Sequence, residues 1–288
     1  MAETTLPYML EFFTGTEKLF GCKLLYTSKI ARVFANENEE VLWKKRSVNE
    51  LTDLIENKTY VPGNEFSFLK NKYAFVKQGG FVDVPAFLNK TKKYLQENTS
   101  LAEETFDHSG LSITENEVSY KDITAGKIIF CQGYLTHNNP YFNRVKLKPA
   151  KGEVLEIYCE ELKINSVLNK DIFILPLPEK NCFKVGATYN WTDLNDTPGE
   201  EAKNYLLEKL NHLIPYPFKV LKQLGGVRPA ATDRRPVMGF HPQHNKMGIF
   251  NGFGTKSVML APYFAKHFCS FMENKTELLH EVNVNRFF

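Results

Sequence analysis

Two neighbouring stretches near the carboxyl end hold the residues whose types and spacing suit chemistry. The first, Gly225-Gly-Val-Arg-Pro-Ala-Ala-Thr-Asp-Arg-Arg-Pro-Val-Met-Gly239, sets Arg228 ahead of a turn. The second, Met247-Gly-Ile-Phe-Asn-Gly-Phe-Gly-Thr-Lys-Ser-Val-Met-Leu-Ala-Pro262, leads an apolar run through a glycine bend into helical spacing. Residues 247–250 predict a short strand, and Gly252 and Gly254 let the backbone turn tightly and come close to a ligand. The apolar spacing of 258–268 predicts a helix, which places Thr255, Lys256 and Ser257 at its amino terminus. Unpaired backbone N–H groups and the positive end of the helix dipole favour negative charge there, and Lys256 adds to it. The chemistry this layout suits is the holding of an anion beside a large planar group.

Other chemistries find less support. His137, His241 and His244 fall near turns or prolines without a GxSxG nucleophile, so they read as surface histidines and not as a hydrolase triad. The five cysteines, at 22, 131, 159, 182 and 269, form no CxxC and pair with no histidine, which argues for reduced thiols and against a zinc site or any other metal. Gly252-Phe-Gly-Thr-Lys-Ser257 imitates a dinucleotide fingerprint, yet that fingerprint needs a whole βαβ unit with an acid about 20 residues on. Glu273 and Glu277 stand near that distance but in a polar stretch with no strand, so an NAD enzyme is the weakest reading. The net charge of +3 comes from basic residues interleaved with acids, which argues against nucleic-acid binding. No apolar run reaches the roughly 18 residues of a membrane span, and Glu3 and Pro7 do not suit a signal peptide, so a cytoplasmic protein is expected.

Positioning these residues requires an ordered scaffold, and a hydrophobic content of 43% excludes disorder over most of the chain. Helical spacing predicts a first helix ending near Gly21, then a strand pair at 23–27 and 30–34, and a polar helix over 36–57 around Trp43. A strand at 73–76 leads to a double glycine, and Pro85 with Asp83 near the cap starts a helix to about Gln96. Short strands are predicted at 111–113 and 118–120. The run from Lys127 to Phe130, ending in Cys131-Gln-Gly133, predicts a buried strand of a parallel sheet. Strands at 153–158, 172–175 and 183–188 and a helix over 199–212 follow, and 274–288 reads as a polar tail.

This order predicts an α/β fold with two domains built from non-contiguous segments. One comprises 86–140 and 225–273, the other 1–85 and 141–224, with the tail at 274–288.

With these residues in place, the chain resembles the D-amino-acid oxidase, glycine oxidase and sarcosine oxidase superfamily of FAD-dependent oxidoreductases. The resemblance rests on Gly79-Gly-Phe-Val-Asp-Val-Pro85, Ile128-Ile-Phe-Cys-Gln-Gly133, Pro149-Ala-Lys-Gly152, Val185-Gly-Ala-Thr188, Gly226-Val-Arg-Pro229 with Asp233 and Pro236, and Gly252-Phe-Gly254 followed by Leu260-Ala-Pro262. These landmarks occur in the family's order across most of the chain. Family members open with a strand, a GxGxxG turn and a helix that hold the FAD pyrophosphate, and residues 1–10 here resemble the helix that follows that unit. A member truncated at its start is therefore expected.

The resemblance implies a three-layer FAD-binding domain without its first βαβ unit, formed by 86–140 and 225–273, joined to a substrate domain on an antiparallel sheet covered by helices. It implies that Arg228 pairs with a substrate carboxylate, for which a planar guanidinium fork is suited. It places Gly252, Phe253, Gly254, Thr255 and Lys256 at the flavin's pyrimidine end and Gly133 beside the adenine side. Lys256 would steady charge gathering on the reduced ring. Asp233, Arg234 and Arg235 read as a turn and a surface charge run. Tyr189 and Trp191 fall where the family lines its substrate, although aromatic residues are more often core. The implied reaction takes a hydride from the carbon bearing an amine to flavin N5 and leaves an imine. A neutral amine suffices for it, so no catalytic base is required. The substrate is a small amine or amino acid, with glycine, sarcosine and others open. The competing reading is a non-catalytic or truncated member that does not retain FAD.

Overall fold

The computed structural model describes residues 2–98 and 101–288. Its helices are α1 (Ala2–Phe20), α2 (Glu37–Ser47), α3 (Val84–Asn98), α4 (Glu200–Leu213) and α5 (Ser257–Met272). Its strands are β1 (Leu25–Val33), β2 (Tyr73–Val82), β3 (Leu111–Ile113), β4 (Val118–Tyr120), β5 (Ile123–Ala125), β6 (Ile128–Phe130), β7 (Ala150–Tyr158), β8 (Val167–Asn169), β9 (Phe173–Pro176), β10 (Cys182–Gly186), β11 (Lys219–Arg228), β12 (Val237–His241) and β13 (His244–Asn251). The chain divides into two compact units. Unit 1 comprises Met1–Cys22, Val84–Ala150 and Val227–Phe288; unit 2 comprises Lys23–Asp83 and Lys151–Gly226.

Unit 2 is built on a seven-stranded sheet of order β11-β7-β10-β9-β8-β1-β2. Pairings β1–β2, β7–β10, β9–β10 and β8–β9 are antiparallel, while β1 and β8 run parallel, so the sheet is mixed where a purely antiparallel one was expected. Period-two alternation puts Leu155 and Ile157 of β7 on the same face, and Phe183 and Val185 of β10 likewise, all buried in one cluster with Leu206 and Leu210 of α4. The four-residue spacing of those two leucines keeps them on one side of α4, and burying each is worth about 1.5–3 kcal/mol.

The strand pair expected at 23–34 is a single bulged strand, β1, whose register against β2 shifts between Ser28 and Ile30. The double glycine expected to end β2 lies inside it instead, because a Cβ at Gly79 would stand 2.5 Å from Ile30 Cγ1 and one at Gly80 2.2 Å from the Tyr26 carbonyl oxygen. Two bare residues are what let the strands pass at the bulge. The helix expected over 36–57 stops at Ser47, since Ile55, 6% exposed, is needed as a bridge to Val76 at the sheet.

Unit 1 holds two three-stranded sheets, β12-β13-β6 and β3-β4-β5. In the first, β6 and β13 run parallel, with Met247, Gly248 and Ile249 opposite Ile128, Ile129 and Phe130. Gly248 permits this closeness, because a Cβ there would meet Ile129 Cδ1 at 2.5 Å. Helix α1 belongs to this unit, whereas the sequence expectation grouped 1–85 with the other segments; its Tyr8 ring meets Tyr263 of α5 edge-on at 6.0 Å, and Phe13 meets Phe87 of α3 at 5.4 Å. Residues 141–150 also fall in unit 1.

The expected tail is corrected. Residues 280–282 and 284–287 form 3-10 turns, and Val282 and Val284 are fully buried. The alternation of these two valines was a core signal that the surrounding polar residues masked.

Candidate active site at the carboxyl ends of two parallel strands

The site begins where β6 and β13 end. Ligands of open α/β sheets bind beyond the carboxyl ends of parallel strands, and here those ends release the chain at Gly133 and Gly252, both with positive φ, +59° and +79°. Asn251 ties the two exits together. Its Nδ2 donates to the Gly133 carbonyl at 2.7 Å and to Thr136 Oγ1 at 2.6 Å, and its Oδ1 accepts from Gly252 N–H at 2.8 Å. Asn251 is 3% exposed, so three satisfied bonds hold a polar side chain in a place that would otherwise penalise it.

The glycine bend is equally determined. A Cβ at Gly252 would meet Val237 Cγ2 at 2.8 Å, and Gly254, at φ +56°, lies against Ala230. Gly254 N–H donates to the Pro229 carbonyl at 3.2 Å, and Ala230 bridges Phe253 in antiparallel fashion. Strand β11, which the sequence reading missed, delivers Arg228 to this point, one residue before Pro229. The structure therefore brings Arg228, Gly252, Phe253 and Gly254 into one backbone assembly, joined to Gly133 through Asn251. Thr255 and Lys256 complete a 3-10 turn that enters α5, and they are exposed. Neither that turn nor α5 has a side-chain cap, which leaves the helix entrance open to an anion. The Phe253 ring lies 4.6 Å from that of Phe250 and packs on an apolar cluster, so its contribution to the site is backbone.

The turn between Arg228 and β12 is held from outside. Arg286 Nε donates to Asp233 Oδ2 at 2.7 Å, and its Nη2 donates to the carbonyls of Arg235 and Pro236. Burial pushes the Asp233 carboxyl up, but the Arg286 hydrogen bond and the Arg235 N–H outweigh it and leave it below its ordinary value. Asp233 thus anchors the turn. Of the expected surface histidines, His137 is exposed, but His241 is buried, its Nδ1 accepting from Gln243 N–H with its ring against Phe142 and Phe288. Burial, and after it the charge of His244, pulls its pKa down.

In unit 2, Tyr189 and Trp191 are not core. They are 55% and 56% exposed and stack at 6.0 Å. Among the described residues no group of histidines, cysteines and carboxylates could hold a metal ion, and no helix is long and apolar enough to cross a membrane.

Sequence reasoning missed Asn251 and β11. A lone asparagine closing an apolar strand just before Gly-x-Gly was the available signal for the first. The second carries Gly225-Gly226 near its end, which hid its strand character.

Tested against FAD, these residues fit one end of the cofactor. The glycines at 133, 252 and 254 all take left-handed backbone that lets the chain turn closely past a ligand, and the uncapped helix entrance suits an electron-rich edge. No strand, GxGxxG turn and helix in succession occurs among the described residues to hold a pyrophosphate.

Comparison with known proteins identifies the family and the fold. Residues 28–270 match the family model described as FAD dependent oxidoreductase. The chain is 22% identical over 250 residues to the glycine oxidase of Bacillus subtilis (strain 168), covering 81% of this chain and 65% of that protein. It is 26% identical over 116 residues to the glycine oxidase of Bacillus licheniformis, covering 40% and 31%. The chain thus spans less than two thirds of the length of the curated relatives it matches. Among solved structures, glycine oxidase from Bacillus cereus ATCC 14579 superposes with a TM-score of 0.78 at 17% identity, covering 96% of this chain and 80% of that one. L-alpha-glycerophosphate oxidase from Mycoplasma pneumoniae with FAD bound superposes with a TM-score of 0.74 at 15% identity, covering 93% and 79%. With the family model matching most of its length, the chain belongs to the family of FAD-dependent oxidoreductases.

Proposed function

We propose that the chain works as part of an FAD-dependent oxidoreductase whose substrate is an amino acid or another small amine carrying a carboxylate. The observation that carries this reading is the clamp between Pro229 and Gly254, which fixes Arg228 beside the glycine bend. A guanidinium at that place offers a carboxylate two parallel hydrogen bonds, and this would orient the carbon bearing nitrogen. Bound FAD supplies the acceptor, its N5 in our reading, for a hydride leaving that carbon. Lys256 and the N–H groups at the α5 entrance favour negative charge at the bend. The substrate can shed its own proton as a neutral amine, so no residue of the chain is assigned as base. The superposed proteins include oxidases named for glycine and for glycerophosphate, so the fold alone does not choose the donor, and Arg228 carries the choice.

The test is reconstitution. Purified protein mixed with FAD should retain a yellow chromophore through gel filtration, and anaerobic addition of a carboxylate-bearing amine should bleach it. Retention without bleaching by any such amine overturns the proposed substrate class. Failure to retain FAD favours the second reading, a member that does not hold the cofactor, for which the observation is the lack of a pyrophosphate turn among the described residues.

A further inference from the structure

In unit 2, the strand residue paired by backbone with Asn190 is a lysine that the proposed chemistry does not use. Lys151 is 1% exposed, and its Nζ donates to Asp193 Oδ2 at 2.7 Å, Asn195 Oδ1 at 2.9 Å and the Thr197 carbonyl at 2.6 Å. Glu153 Oε1 stands 3.5 Å away, and the same carboxylate accepts from Gly199 N–H and Gln223 Nε2 through its other oxygen. Four oxygens from positions 153, 193, 195 and 197 thus converge on one cationic nitrogen. Alternate residues of a short loop, supplying carboxylate, amide and backbone carbonyl oxygens, are the donor set with which proteins wrap a hard metal cation.

The loop is also tied at its far end, where Gly199 N–H donates to Glu153 Oε2 and the Gly199 carbonyl accepts from Gln223 Nε2. Its internal bonds are Asx turns: Asn190 Oδ1 accepts from Thr192 and Asp193 N–H, and Asn195 Oδ1 accepts from Thr197 N–H. Such turns set local direction, while the Lys151 ammonium joins the carboxylates at 153 and 193. We propose that Lys151 is a positioning residue, its ammonium acting as a built-in cation that folds residues 190–199 and thereby fixes the Tyr189–Trp191 face. Lys151 also pairs with Asn190 through both backbone groups, so the ammonium and the start of the loop move as one piece. The family resemblance puts Tyr189 and Trp191 where substrate is lined, and on that reading Lys151 sets their orientation without touching the reacting atoms. The inference rests on that reading only for its consequence, because loop order can be measured without flavin or substrate.

The chain has two tryptophans, so Trp43→Phe leaves Trp191 as the only indole reporter. In that background Lys151→Ala should at least double acrylamide quenching of Trp191 and lower its anisotropy. Millimolar calcium chloride should reverse both changes, since a divalent ion can replace the ammonium between two carboxylates, while Lys151→Met should show the same loosening without calcium rescue. The parent background should not respond to calcium. Unchanged Trp191 signals in Lys151→Ala overturn the proposal, as does loosening that calcium fails to reverse, and as does a calcium response of equal size in the parent. If Lys151→Ala does not fold, Asp193→Ala removes an exposed member of the set, and an unaltered Trp191 signal in that variant overturns the proposal equally. Whether FAD is retained is read separately, so failure here leaves the proposed function standing and the reverse holds too.

Discussion

Asn251 and Gly133 lie at the ends of two different strands, and the Asn251 amide donates to the Gly133 carbonyl at 2.7 Å. One side chain therefore sets the spacing between the two glycine exits from the sheet. Replacing Asn251 with alanine leaves buried partners without bonds, at about 1–3 kcal/mol for each unsatisfied group. Asn251→Ala should lower the urea midpoint and weaken FAD retention together. Asn251→Asp should be worse, because a carboxylate oxygen would replace the donor that faces the Gly133 carbonyl. Equal stability of Asn251→Ala and the parent in urea denaturation would remove this clasp from the account.

The bend glycines should not be equivalent. At Gly252 a methyl meets Val237 Cγ2 at 2.8 Å, whereas at Gly133 nothing lies within 4 Å, although both have positive φ. Gly133→Ala should cost about 1–2 kcal/mol, the backbone term for a left-handed residue, and Gly252→Ala should cost more. Thermal unfolding of the two variants side by side gives the comparison. Equal losses would show that the backbone term alone governs both positions.

Arg228 should separate binding from chemistry. Arg228→Ala is expected to raise KM for a carboxylate-bearing amine about 10- to 100-fold, the worth of hydrogen bonds to a charged group, with a smaller change in kcat. Arg228→Lys keeps the charge without the planar fork and should recover only part of the loss. Unaltered KM in both variants takes Arg228 out of the site.

Acid should unfasten unit 2 at one known place. Glu40 is bonded by Lys44 at 2.8 Å and by Lys72 at 3.2 Å, and these cations, against a smaller opposing push from burial, hold its carboxyl down from an ordinary 4.5 to about 2. A carboxyl lowered in the folded state stabilises fully above 4.5, and this contribution is lost as pH falls from 4.5 toward 2. Unfolding midpoints measured across that window should fall more steeply in the parent than in Glu40→Gln. Parallel slopes would assign the acid sensitivity to other groups.

Much of the fold was legible where periodicity and punctuation agreed. Helix α4 shows its apolar spacing and its Gly199 start in the sequence, and β6 could be read as a parallel strand from its apolar run, although Ile128 and Ile129 are only half-buried. Legibility failed where a tertiary partner outweighed local pattern. Gly79 and Gly80 look like a turn and serve a bulge; Ile55 looks helical and is recruited to the sheet; Val282 and Val284 sit among polar residues yet complete the core of unit 1. In the site, the glycine bend was legible because left-handed backbone has few residue choices. Asn251 and Lys151 were not, because their roles come from partners more than a hundred and more than forty residues away, respectively.

The interleaving of segments also orders events at the ribosome. Unit 2 has all its residues, 23–83 and 151–226, once Gly226 has been synthesised, whereas unit 1 still lacks 227–288. Domains generally fold as units during synthesis. The seven-stranded sheet can therefore consolidate on the nascent chain while Met1–Cys22 and Val84–Ala150 wait with their apolar faces uncovered. That interval is the window in which a chaperone would find the most to hold.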